Sequence, residues 1–367
     1  MSKNAGFGAL YTYIPEKPKL ITDTSQTLEE TSLQLEDRLC RVTGAEHCVP
    51  VPELGTGIYL ALRSLGIGRK DRVLCSGLAT EEVVQSILRT GGTPMLVDIN
   101  PNTFTIDPYC LEYAIGKCLR TETPLPKALV ASDTFGLPCP YEAIEGICRK
   151  HGIALVQDMG ESLGGSVGSR QSGGFGRYSV MSFALEAACP EDGEGGAILC
   201  QDPADAGELR QMMAQYERVQ DPVQAAAAGW TRAQLALGKL EDHPQHLAAR
   251  QRAAEQYRAL FSGQLRYQQI PAGYTSACSR FPVALPVHAP KLEIVSRLRE
   301  KDIICDAIGT NVRKLTRDDW ERVMLLNAES ARQKLITIPM HPFLTTRLTD
   351  YIAAQIMDEV LCGASLE

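Results

Sequence analysis

Between residues 72 and 158 the sequence alternates short apolar runs with amphipathic stretches, and no other feature narrows the fold as much. Residues 72–75 precede a helical pattern over 81–90, residues 93–99 precede one over 108–118, and residues 127–132 precede one over 141–151. A further apolar run, 153–158, follows. Strands that alternate with helices are joined by right-handed crossovers. The stretch therefore predicts a mostly parallel sheet covered on both faces. Ligands of such sheets bind beyond the carboxyl ends of the strands.

The flanks extend this α/β pattern. Leu35, Leu39 and Val42, with Gly44 as a stop, predict a helix from Leu28 onward, and residues 47–52 predict a strand. That strand runs into Gly55-Thr56-Gly57, and Ile58, Ala61, Leu62 and Leu65 then repeat at helical spacing. A strand, a small-residue turn and a helix start make an anion site, because unpaired N–H groups and the helix dipole both favour negative charge. The same residues also serve as a tight connection with a helix cap. Residues 178–183 and 196–200 read as strands around Gly193-Glu194-Gly195-Gly196, where three glycines let the backbone approach a ligand closely. Gly55, Asp158 and Ser182 all fall at strand ends.

Beyond these strands, the small-residue run 221–229 joins a helical stretch ending at Glu217 to a long helix over 232–261. A strand over 281–287, a helix over 291–300, a strand over 302–306 and a closing helix over 348–361 complete the chain. The layout expected is an arm over residues 1–27, a large α/β domain over 28–244 and a smaller α+β domain over 245–367.

Composition excludes several classes. The chain has 367 residues, a net charge of −7 and no Lys/Arg cluster, so the footprint of a nucleic-acid binder is missing. No apolar run is long enough to span a bilayer and no signal core opens the chain, so no membrane partner is expected and the cytoplasm is the expected location. The 12 cysteines are scattered without a C-x-x-C and read as reduced thiols. His243 and His246 lack a thiolate or carboxylate at metal spacing, so no metal site is expected.

The series Leu54-Gly55-Thr56, Gly91-Gly92-Thr93-Pro94 with Val97-Asp98-Ile99, Gln157-Asp158-Met159-Gly160-Glu161, Gly193-Glu194-Gly195-Gly196 and Ile338-Pro339 resembles the DegT/DnrJ/EryC1/StrS family in its order. These are pyridoxal-phosphate sugar aminotransferases of fold type I. The likeness runs from about Glu36 to Leu361. It implies a large domain with a seven-stranded, mainly parallel sheet, a smaller C-terminal α+β domain, and a dimer with two active sites at the subunit interface. It also implies a cofactor held by Gly55, Thr56, Asp158, Glu161 and Ser182. In that family the aspartate keeps the pyridine nitrogen protonated and a lysine forms the imine and moves the proton.

The sequence departs from that pattern at several points. Five residues on from Ser182 is Ala187, and five back from Gly193 is Ala188; neither forms an imine. Pyridoxal or pyridoxamine phosphate, if held, is then held noncovalently. Glu161 replaces the usual glutamine and brings a second carboxylate near the ring oxygen. Gly77-Leu78-Ala79-Thr80 offers no aromatic shelf, residues 225–229 are small where a partner's Asn-x-Arg segment is expected, and Asp133 falls where a histidine is usual. Glu186, Glu191 and Cys189 make poor substitutes for the lysine. Lys239 and Lys127 serve only if the fold brings them in, and Lys127 opens its strand at the end away from the cleft.

Two readings follow. In the first, the chain is a degenerate aminotransferase-fold protein, a pseudoenzyme serving as a binding or regulatory subunit in nucleotide-sugar, polysaccharide or natural-product biosynthesis. It is then a homodimer or a heterodimer with a lysine-bearing paralogue, with a phosphate or nucleotide sugar held at Gly55, Thr56 and Ser182. In the second, it is an active transaminase or dehydratase-like enzyme on a nucleotide keto-sugar. A remaining option is carboxylate chemistry by Glu161 with Asp158, since two close acids push their titrations apart.

Overall fold

The computed structural model describes residues 27–183, 195–217, 222–308 and 325–364. Its first helix, α1 (Leu28–Thr43), is fixed at both ends by local chemistry. Thr27 accepts the Glu30 N–H while the Glu30 side chain takes the Thr27 N–H, and Gly44 closes the helix at φ 75°. The expected alternation follows in β1 (His47–Val51), α2 (Leu54–Ser64), β2 (Arg72–Ser76), α3 (Glu81–Arg89), β3 (Thr93–Val97), α4 (Pro108–Arg120) and β4 (Ala128–Ser132). After a single 3₁₀ turn (Thr134–Gly136) come α5 (Tyr141–His151) and β5 (Ala154–Asp158). A hairpin of β6 (Ser166–Val167) and β7 (Arg170–Gln171) precedes β8 (Tyr178–Ser182), β9 (Gly196–Cys200) and α6 (Pro203–Glu217).

The main sheet has seven strands in the order β1-β9-β8-β5-β4-β2-β3. Neighbours from β8 through β3 pair in parallel, and β9 runs antiparallel to both β1 and β8. The mainly parallel sheet expected from the alternation is therefore present. Its two faces bury different cores, as expected when helices cover both sides. Ile58, Val83, Val156 and Val180 lie with α2 and α3 on one face, while Leu129, Leu155, Ile115 and Ile144 lie with α4 and α5 on the other.

The long helix α7 (Pro222–Phe261) leads into β10 (Arg266–Tyr267), β11 (Tyr274–Thr275) and β12 (Phe281–Ala284). Then follow α8 (Lys291–Glu300), β13 (Asp306–Ala307), α9 (Leu326–Lys334), β14 (Leu335–Ile338) and α10 (Thr346–Ala364). A four-stranded sheet in the order β10-β12-β14-β13 encloses its own core with Tyr257, Phe261, Ile294 and Ile356.

The chain differs from expectation at three places. The run 221–229 is no connector, since α7 begins at Pro222 and continues through Pro244; four successive alanines favour helix more than linker. The strand expected over 302–306 is confined to Asp306–Ala307. Asp302 turns at φ 59° and the Ile303 N–H closes back on the Leu298 carbonyl, so the buried Ile303 and Cys305 mimic strand alternation inside a helix stop. Finally, α2 starts at Leu54, so Gly55, Thr56 and Gly57 form its first turn instead of preceding it.

Candidate functional site at the carboxyl ends of β5 and β8

Helix α2 leaves β1 at one edge of the sheet and lies across β9, β8 and β5. It does so because Gly57 has no side chain: a Cβ there would lie 2.5 Å from Val180 Cγ1 and 3.2 Å from Val51 Cγ2. This close approach brings the start of α2 to the end of β5. A Cβ on Gly160 would lie 3.0 Å from Leu54 Cδ2 and 3.3 Å from Asp158 Oδ1. Strands β5 and β8 stay paired to this end, with the Met159 N–H donating to the Val180 carbonyl at 2.9 Å. Ser182 follows two residues later, half-buried and opposite Gly196 in the β8–β9 register. Leu54, Gly55, Asp158 and Ser182 are thus gathered on one side of the sheet end.

Asp158 is buried at 6% exposure, and its Oδ1 accepts the Gly160 N–H at 3.1 Å. Burial pushes its carboxyl up to about 7, with the Ser132 hydroxyl and the Gly160 amide pulling the other way. A buried acid poised near neutrality at the end of a central strand suits a partner that carries a proton, including a pyridine nitrogen.

Asp133 does not face a ligand. Its Oδ1 accepts the Tyr141 hydroxyl at 2.6 Å and the Cys139 N–H at 2.9 Å, while Oδ2 accepts Gln157 Nε2 at 2.7 Å and the Ser162 hydroxyl at 2.6 Å. Burial lifts this carboxyl to about 6 against the pull of those hydrogen bonds. Asp133 is thus the hub of a buried network. Glu161 also turns to neighbours. Its Oε2 accepts the Phe135 N–H at 2.9 Å and its Oε1 lies 2.7 Å from Arg280 Nε. Its charge is therefore balanced by Arg280, not set unopposed beside a ring oxygen.

At the start of α2 the Gly55 N–H donates to Glu82 Oε1 at 2.7 Å, and the fully buried Thr56 hydroxyl donates to Glu53 Oε1 at 2.9 Å. Sequence reasoning missed Glu82 and Arg280, which reach the site from 27 and 119 residues away from Gly55 and Glu161 respectively. No local pattern signals either contact. Of the two lysines considered as substitutes, Lys127 pairs with Asp71 at 2.8 Å at the amino ends of the strands, as expected. Lys239 on α7 places its Nζ 3.3 Å from the Phe183 carbonyl, next to the end of β8.

The residues fit a pyridoxal group in part. Asp158 suits the pyridine nitrogen, and Gly77–Thr80 provides no ring to stack on it. The anion end, however, is met by carboxylates from Glu82 and Glu53. Ala187, Ala188, Glu186, Cys189, Glu191, Gly193 and Glu194 lie outside the described residues, as does nearly all of the 1–27 arm. Among the described residues, no group of His, Cys, Asp and Glu could hold a metal, and no helix is long and apolar enough to cross a membrane.

A seven-stranded sheet with one reversed strand, an aspartate ending β5 and a helix with glycines in its first turn over the sheet end define the fold type I aminotransferase architecture. Solved structures agree. A DegT DnrJ EryC1 StrS aminotransferase from Brucella abortus matches with a TM-score of 0.81 at 21% identity over 93% of each chain. An aminotransferase of pseudoaminic acid biosynthesis from Helicobacter pylori matches at 0.77 and 20% identity, over 90% of this chain and 91% of that one. The family model of the DegT/DnrJ/EryC1/StrS aminotransferases matches residues 19–357, and the chain belongs to that family. Among curated relatives, the UDP-2-acetamido-2-deoxy-3-oxo-D-glucuronate aminotransferase of Pseudomonas aeruginosa is 26% identical over 335 residues, 88% of this chain and 89% of its own.

Proposed function

We propose that this family member forms no imine of its own and serves nucleotide-sugar biosynthesis as a binding or regulatory subunit, either as a homodimer or paired with a lysine-bearing paralogue. The observation that carries the reading is that residues 183–195, which follow β8 in the sequence and precede β9, contain no lysine. Gly55 and Thr56 add support, since both are engaged by the protein's own carboxylates. The ligand class comes from the Pseudomonas aeruginosa relative, whose substrate is a UDP-sugar.

The test is calorimetry of the cofactor-free protein with UDP-N-acetylglucosamine, alongside an aminotransferase assay of the chain alone. Saturable binding without turnover is expected. Amino transfer to a nucleotide keto-sugar by the chain alone, on added pyridoxal phosphate, overturns the reading.

One observation favours a second reading. Lys239 Nζ lies 3.3 Å from the Phe183 carbonyl, so α7 brings an amine to the end of β8. In this reading the chain is a transaminase or dehydratase-like enzyme whose amine has moved to another element.

A further inference from the structure

We propose that Glu82 is a built-in anion that occupies the phosphate position at the start of α2, so that the cleft takes a ligand with no phosphate group there. The inference rests on the reading above only in treating this cleft as the binding site.

The first amides of a helix have no partner within it and lie at the positive end of its dipole, so they draw an anion. In α2 the first amide with an intrahelical partner is that of Gly57, which donates to the Glu53 carbonyl at 3.1 Å. The Gly55 amide, two residues earlier, donates to Glu82 Oε1 at 2.7 Å, the short distance typical of a charge-assisted bond.

Glu82 is brought there by structure, not by chance reach. It stands in the first turn of α3, whose start is fixed by Thr80 accepting the Val83 N–H. The two helices are tied at this point by Ser86, whose hydroxyl lies 2.9 Å from the Gly55 carbonyl and 2.7 Å from that of Glu82. A Cβ on Gly55 would lie 2.9 Å from Glu82 Cγ, so the glycine leaves room for that side chain.

The second phosphate-binding group expected here, the Thr56 hydroxyl, is also committed, since it donates to Glu53. An incoming phosphate would meet the Glu82 carboxylate, find the Gly55 amide taken, and find Thr56 held by a Glu53 carboxylate that lies 3.8 Å from Arg89. Like charges at such a distance repel, and the bound carboxylate has no association entropy to lose.

The test is calorimetry of the full chain with inorganic phosphate and, separately, pyridoxamine phosphate. Neither probe forms an imine. Glu82→Ala and Glu82→Gln are compared with wild type, and Glu81→Gln controls for net charge. The Glu82 variants are expected to bind both probes at least about tenfold more tightly than wild type and Glu81→Gln, equivalent to about one lost repulsion of 1.4 kcal/mol. Gly55→Pro, added to Glu82→Ala, deletes the amide within the first turn of α2, where no intrahelical hydrogen bond is lost, and the gain should vanish while the melting curve stays cooperative.

Wild type binding either probe as tightly as Glu82→Ala overturns the proposal, as does a gain that survives Gly55→Pro. If Glu82→Ala fails to fold, as read from its melting curve, Glu82→Gln keeps the side chain's size and carries the test. Because imine formation is read separately, from borohydride trapping with pyridoxal phosphate, binding of pyridoxamine phosphate by wild type as tight as by Glu82→Ala would end this inference and leave the imine claim standing.

Discussion

The Asp133 N–H donates to the Asp158 carbonyl oxygen at 2.9 Å, and the two side chains carried by this joint are used in opposite ways. Asp133 turns inward to four close donors from Tyr141, Cys139, Gln157 and Ser162. Asp158, at the strand end, accepts the Gly160 amide at 3.1 Å and stands where a ligand would meet it. One carboxylate holds the loop after β4 in place, and the other lies at the carboxyl end of β5, where we propose that a ligand binds.

Asp158→Asn should therefore alter the pH dependence of stability. The Asp158 carboxyl is raised in the folded state from 3.8 to about 7. The folded state then binds the proton more tightly than the unfolded chain. This contribution is complete below about pH 4 and is lost as pH rises through about 7. Asparagine mimics the protonated form, so the variant should show a flatter profile over that window and gain roughly 1–3 kcal/mol on wild type at pH 8. Urea unfolding at several pH values measures it, and an unchanged profile contradicts the assignment.

Asp133→Asn should go the other way. The amide would set its own N–H groups against donors that now point at a carboxylate. A net loss of about 1–3 kcal/mol at pH 8 is expected: the Gln157 and Ser162 donors lose an acceptor, partly offset because burial raises the Asp133 carboxyl to about 6 and the amide removes that cost of ionisation. The same urea series reads it, with Asp158→Asn as the contrasting case.

Gly57→Ala should be destabilising by about 1–3 kcal/mol, because its Cβ would fall 2.5 Å from Val180 Cγ1 and push α2 off β8. Gly146→Ala is the control. It lies in the exposed middle of α5 with nothing within 4 Å of the new Cβ, so it should stabilise by about 0.4–1 kcal/mol. Melting temperatures of the pair separate close approach from helix propensity.

The sheet was legible because its signal is local. Each run from Arg72 to Asp158 carries its own periodicity, and crossover handedness supplies the rest. The end of β5 was legible for the same reason, and Asp158 stands where the alternation puts it. The reversed strand β9 was visible as a strand, but its direction depends on pairing with β1 and β8, which no local pattern encodes. Strand 302–306 misled because a helix stop can bury alternate residues, as Ile303 and Cys305 show. Within the site, Glu82 on Gly55 and Arg280 on Glu161 were invisible, since each joins elements that only the folded chain brings together.

We propose that this chain forms no imine with pyridoxal phosphate. The most direct measurement is borohydride reduction of the protein after incubation with pyridoxal phosphate, followed by peptide mapping of every modified lysine. No stoichiometric adduct is expected, only the low, scattered labelling that exposed lysines give. A stoichiometric adduct at a single lysine would contradict it, and if that lysine is Lys239 the second reading, with the amine moved to α7, takes its place.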